Sequence, residues 1–299
     1  MKKAYMSAIV ACMALPVLGQ PLNEMLGGRG VWLQKPKAFQ LTKIPDLEAI
    51  GVKRVHVMGT HAVAASKSCK ARELKPTATT QVLEGLGNAL RAGAFAPILT
   101  LYATPDKTSI DALTDAQTGL VAKLLASGFQ AVEYDLEGGW SDSVPCGFST
   151  HSEAASYLFT KTRALKGDLP VGVTTHLGRA RDPNIGLDQA DWLSIQVYTK
   201  CASPCVSFMD KREGPGFRQS RTAQLVNFAG PVVVGLAAYN QKWPDHSEDE
   251  AMSKALDATY ELQKSHPNFV GHSYWSTSWL IDGSPQQRFL KRTAIKKVN

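Results

Sequence analysis

The chain repeats one rhythm over most of its length: a short apolar run, a loop, then a stretch whose apolar residues recur every three or four positions. Runs of strand length fall at residues 30–34, 54–58, 96–102, 131–137, 171–175, 192–198, 232–236 and 270–275. Helical spacing lies between them, at 79–92, 110–126, 152–165 and 248–264. Two of these helices pass into a strand through glycine, at Gly93 and Gly128, the residue type that ends helices. Strand and helix alternating eight times over predict an α/β fold, a single (β/α)8 TIM barrel. The connection after the fifth strand is short, which leaves a helix there unassigned.

One run differs from the others. In Ala131-Val132-Glu133-Tyr134-Asp135-Leu136-Glu137, a strand period puts Glu133, Asp135 and Glu137 on one face and Val132, Tyr134 and Leu136 on the other. By itself the pattern fits a half-exposed strand with a solvated charged face. It also fits a barrel strand whose apolar face meets helices while its polar face lines the interior. The barrel rhythm of the whole chain favours the second arrangement, and Glu137, followed by Gly138-Gly139, then falls at the mouth.

The first residues stand apart from this rhythm. Lys2 and Lys3 precede an apolar run from Ala4 to Leu18, with small residues Val17 and Gly19 at its end. This is the layout of a signal peptide over 1–19, with the barrel over 20–299 and a secreted or periplasmic location. The run is shorter than the roughly 20 residues of a membrane span, so no stable membrane insertion is expected. Ile9-Val10-Ala11-Cys12 is similar to a lipobox, but the apolar run continues past Cys12.

Roughly 280 residues remain, a usual length for one barrel of about 250 residues. No linker or composition shift divides them, and a monomer is expected. They retain Cys69, Cys146, Cys201 and Cys205, an even set that predicts two disulfides in an exported chain. Cys201 and Cys205 are close enough to close a small loop, which leaves Cys69 with Cys146. A zinc site is not expected, because Cys201-Ala202-Ser203-Pro204-Cys205 has no matching second pair or His cluster. No cofactor is expected either. The net charge of +7 favours an anionic partner such as a cell-wall polymer, whereas scattered basic residues without interleaved aromatics do not read as a nucleic-acid surface.

Polar and aromatic residues concentrate where the strands end. They are Trp32 and Gln34, Tyr102, Thr174 and His176, Gln196 and Tyr198, Tyr239 and Gln241, and Trp275 with Trp279. On a barrel of this kind, strand ends carry binding and catalysis. Trp and Tyr faces suit the apolar C–H faces of sugars, and Gln, Asp and Tyr suit their hydroxyls. Core packing is the simpler reading of any single Trp, but several on one rim favour binding. Candidate substrate contacts are Glu133, Trp140, Gln196, Trp275, Tyr102, Trp32 and Tyr239.

Glu133-Tyr134-Asp135-Leu136-Glu137 resembles the end of the family 18 glycoside hydrolase signature, a series of alternating acids finishing Asp-x-Glu. Gln196-Val197-Tyr198 is similar to that family's Gln-x-Tyr segment on strand six, and Tyr274-Trp275 to its floor tryptophan on strand eight. The likeness is that of a distant member. Gln130 and Glu133 stand where the signature has Asp, and no Ser-x-Gly-Gly ends strand three. Family 25 lysozymes also carry Asp-x-Glu on strand four, but with an Asp on strand one, where this chain has Trp32.

Glycoside cleavage needs a protonated acid beside the leaving oxygen and charge near the sugar carbon that becomes oxocarbenium-like. Two carboxylates separated by one residue on a strand point the same way, about 7 Å apart. Glu137, nearer the mouth, is the expected general acid, with Asp135 deeper. The resemblance further implies that the substrate's N-acetyl group is the nucleophile, that Asp135 orients it, and that Tyr198 binds its carbonyl. Glu133 would tune Asp135 from below. A hydrolase of chitin or peptidoglycan is the expectation, and a non-catalytic sugar-binding or inhibitor barrel is the alternative.

Overall fold

The computed structural model describes residues 21–39, 41–60, 75–103, 106–137, 140, 143–177, 186–197, 214–238, 245–277 and 283–294. Residues 1–19, expected as a signal peptide, and Cys69, Cys201, Cys205, Tyr198, Tyr239, Gln241 and Trp279 lie outside them, as does Cys12 within the first stretch. Eight parallel strands close a barrel in chain order. They are β1 (Gly28–Leu33), β2 (Val52–Met58), β3 (Ala96–Tyr102), β4 (Ala131–Asp135), β5 (Val171–His176), β6 (Trp192–Gln196), β7 (Val232–Ala237) and β8 (Phe269–Trp275). Each predicted run is a strand, although β4 and β6 end two residues sooner than their apolar patterns.

The two-residue alternation sorts side chains into two cores. Val31, Val55, Val57, Leu99, Leu101, Val132 and Tyr134 point outward into a layer shared with helical Leu83, Leu86, Leu90, Leu158 and Phe159. Full burial of such side chains is worth roughly 1.5–3 kcal/mol each. A smaller interior core joins Ala96, Ile98, Ala131, Trp192 and Val233 to Met25 and Leu26 of the first helix, α1 (Leu22–Leu26), which plugs the amino-terminal end.

Helix ends follow local chemistry. In α3 (Thr80–Ala92) the Thr79 hydroxyl caps the amide of Val82. That helix ends at Ala92, and the left-handed residue after it is Ala94, with φ 59°, rather than Gly93. The 110–126 periodicity spans two helices, α4 (Lys107–Leu113) and α5 (Leu120–Ala126). Asp115 breaks them: its Oδ1 accepts from the amides of Gln117 and Thr118 at 3.0 and 2.7 Å, a local turn that competes with helix. The other described helices are α2 (Ile44–Ala49), α6 (His151–Arg163), α7 (Phe217–Leu225), α8 (Glu248–Ser265) and α9 (Pro285–Thr293). Between β5 and β6 the described residues hold one 3-10 turn, Leu187–Gln189.

Two glycines make space inside the barrel. A Cβ at Gly172 would overlap the fully buried indole of Trp192, and one at Gly30 would lie 2.8 Å from Arg54 Nε. We therefore expect Gly172→Ala to destabilise the fold by roughly 1–3 kcal/mol through overpacking, read as an earlier urea midpoint. An unchanged midpoint would show that the indole moves aside without cost.

Candidate active site

The interior is polar in its middle layer, and the acidic face of β4 organises it. Glu133 is fully buried and collects five donors. Its Oε2 accepts from Trp32 Nε1 at 3.2 Å, Thr100 Oγ1 at 3.1 Å and His56 Nδ1 at 3.0 Å. Its Oε1 accepts from Trp192 Nε1 at 3.3 Å and from the Ser194 hydroxyl. The donors come from β1, β2, β3 and β6, so one carboxylate ties half the barrel together.

Behind it, Arg54 Nε donates to His56 Nε2 at 3.1 Å. An arginine only donates, so that ring nitrogen is an acceptor and the proton sits on Nδ1, facing Glu133. His56 is thus neutral, in line with burial and the Arg54 charge pushing it below 6.5 against the pull of Glu133. Arg54 also donates to the carbonyls of Leu26, Gly27 and His272 and to Ser273 Oγ, which joins the floor plug to the network. Burial pushes its guanidinium down to about 9, against the pull of Glu133. Burial alone would raise the Glu133 carboxyl, but contact with His56 and the bonds from Ser194 and Trp32 bring it to about 2.

The mouth lies one layer above. Asp135 is level with Tyr102 of β3 and Thr174 of β5, and Gln196 Nε2 donates to Thr174 Oγ1 at 3.3 Å. Past the end of β4, the Leu136 amide still bonds the Thr174 carbonyl at 3.0 Å, which extends the pairing to the neighbour of Glu137. Glu137 is largely buried, and His176 Nε2 lies 2.8 Å from its Oε1. Trp275 ends β8 half-buried, with its ring centroid 6.0 Å from that of Trp32. The Trp275–Ser276 peptide is cis.

The structure therefore gathers Asp135, Glu137, Tyr102, Gln196 and Trp275 at one end of the barrel. Three expected substrate contacts stand elsewhere. Glu133 and Trp32 are sealed in the layer beneath, and Trp140, with no exposed surface, packs in the apolar layer between barrel and helices. None of the three presents a face to a sugar. The residues not singled out from sequence are Arg54, His56, Thr100, Trp192 and Ser194. Only the alternation Arg54-x-His56 on β2 signals them, matching the acids of β4. Among the described residues no group of three or more His, Cys, Asp or Glu side chains is placed to hold a metal. No described helix is long and apolar enough to cross a membrane.

A barrel of this geometry is shared with many glycoside hydrolases. A family 18 chitinase from Pseudoalteromonas aurantia superposes with a TM-score of 0.57 at 13% identity, over 89% of this chain and 98% of that one. A family 113 β-1,4-mannanase gives 0.60 at 12% identity, over 91% and 98%. A xylanase-α-amylase inhibitor protein gives 0.61 at 12% identity, over 89% and 98%. At such identities the likeness is one of fold. No protein-family model and no curated protein sequence matches the chain.

Proposed function

We propose that this protein is an exported glycoside hydrolase that cleaves a β-1,4-linked N-acetylhexosamine polymer, chitin or peptidoglycan, with Glu137 as general acid. The observation that carries the reading is the position of Asp135 and Glu137, two residues apart at the barrel mouth. The other strands end in Leu33, Met58, Tyr102, His176, Gln196, Ala237 and Trp275, so among the described strand ends only β4 supplies carboxylates. A retaining mechanism with an enzyme nucleophile needs a second carboxyl facing the acid at about 5–5.5 Å. Asp135 lies on the same strand, deeper and roughly 7 Å along it. An inverting pair, about 6.5–9.5 Å apart, needs its base on the opposite face of the ring, whereas Asp135 and Glu137 share one face of one strand; that arrangement supports a nucleophile from the substrate, its own N-acetyl oxygen, with Asp135 orienting the amide and Tyr198 binding its carbonyl.

The test is dependence on the N-acetyl group. Chitooligosaccharides are cut, their de-N-acetylated counterparts are not, and a thiazoline analogue of the cyclised intermediate inhibits. Equal rates on both substrates would remove the N-acetyl group from the mechanism. The altered signature, with Gln130 and Glu133, favours one second reading, a barrel that binds glycan without cutting it.

Export and disulfides belong to the same proposal. The Cys146 carbonyl accepts from the Lys107 amide at 3.1 Å, which ties the loop after β4 to the start of α4. We assign Cys69 as the disulfide partner of Cys146, bracing the loops after β2 and β4, with Cys201–Cys205 as the second bridge. Mass mapping of the non-reduced exported protein is expected to find both pairs; Cys69 and Cys146 as free thiols would refute the first.

A further inference from the structure

We infer that His176 is a positioning residue for Glu137, an inference that rests on reading Glu137 as the general acid. The placement comes from strand register. Thr174 is the β5 partner of Asp135, so the next inward residue of β5, His176, arrives level with Glu137. Both backbones are tied at this height: the Leu136 amide bonds the Thr174 carbonyl, and the Leu177 amide bonds the Gln196 carbonyl at 3.3 Å. Glu137 itself lies two residues past the last residue of β4 and precedes two glycines, Gly138 and Gly139, so the strand ladder does not fix its side chain.

A glutamate side chain at that point has three rotatable bonds, and their freedom opposes a single productive geometry. The His176 ring is shorter and stiffer, sits on a paired strand, and puts Nε2 at 2.8 Å from Glu137 Oε1. Its side chain is 27% exposed and that of Glu137 is 11% exposed, so the contact lies at the edge of the cleft, partly shielded from water. Pressed this closely against one carboxyl oxygen, the ring limits the rotations open to the Glu137 side chain and so the direction from which its carboxyl meets the glycosidic oxygen. Asp135 from below and Tyr102 and Gln196 from the flanking strands are among the described polar residues at this level of the barrel. His176 acts through Glu137 and need not touch substrate.

A double-mutant cycle on chitooligosaccharides tests this, with thermal unfolding of each variant as the check on folding. His176→Ala is expected to lower kcat roughly 10- to 100-fold, the scale of a misplaced catalytic group, with KM within about twofold of wild type. His176→Gln, whose side chain again fills the space beside the Glu137 carboxyl, is expected to restore much of that loss. In a Glu137→Gln background, His176→Ala is expected to slow turnover no further. The inference is overturned if His176→Ala keeps wild-type kcat, if it acts on KM alone, or if it slows the Glu137→Gln background by its full factor. If Glu137→Gln itself turns over at the wild-type rate, or wild type cuts none of these glycans, the general-acid reading falls and takes this inference with it.

Discussion

Glu137→Gln is expected to lower turnover of chitooligosaccharides by roughly 10²- to 10⁴-fold, the usual contribution of a general acid. The amide keeps the shape of the side chain and its place beside His176 but has no proton to give to the leaving oxygen. Because the loss lies in the chemical step, kcat and kcat/KM fall together while binding of intact substrate, read by calorimetry, stays near wild type. Asp135→Asn is expected to slow the reaction too, since a neutral amide cannot stabilise the developing positive charge. Loss of binding instead would make both residues parts of a recognition surface.

The largest loss of stability is expected from Glu133. Glu133→Leu leaves Arg54 as a buried cation without its anion, and turns the N–H and O–H groups of Trp32, His56, Thr100, Trp192 and Ser194 toward an apolar side chain. Breaking a buried pair from one side costs about 3–5 kcal/mol, a large part of a total of roughly 5–15. Thermal unfolding is expected near or more than about 10 °C lower. Arg54→Met together with Glu133→Leu is expected to cost less than the sum of the two, because neither charge is then stranded. Strict additivity would mean that the two charges do not interact through His56.

The same network sets the acid limit of the fold. His56 and His272 are held below 6.5 in the folded protein, each chiefly by burial, so the unfolded chain takes up their protons first. Their contribution is present above about pH 6.5 and is lost as the pH falls below it. Glu133, depressed from 4.5 to about 2, contributes stability that is present above 4.5 and lost as the pH falls through about 2. Urea midpoints are thus expected to fall in two stages on acidification, and the second stage is expected to be absent in Glu133→Leu.

The barrel was legible because its strands read at a period of two and its helices at three and four, and each period follows from backbone geometry that needs no partner. The 110–126 helix was misjudged because apolar spacing continues through Asp115, whose side chain takes the amides of the turn. The acids of β4 were visible as a stripe, but not the difference among them. Glu133 differs from Glu137 only in its surroundings, and its partners Trp32, His56 and Trp192 lie 101, 77 and 59 residues away. Which residues stand level is fixed by strand register, which apolar pattern does not encode. Trp140 shows the same limit: a tryptophan after a Gly-Gly break reads as a rim residue, yet the chain turns it into the outer core.

The most direct measurement is product mass spectrometry after incubation of the purified protein with chitooligosaccharides and with peptidoglycan. The account predicts shorter N-acetylated fragments that accumulate with time and are almost absent with Glu137→Gln. Saturable binding of these glycans with no fragment released, by wild type and variant alike, would contradict it and leave a glycan-binding barrel in its place.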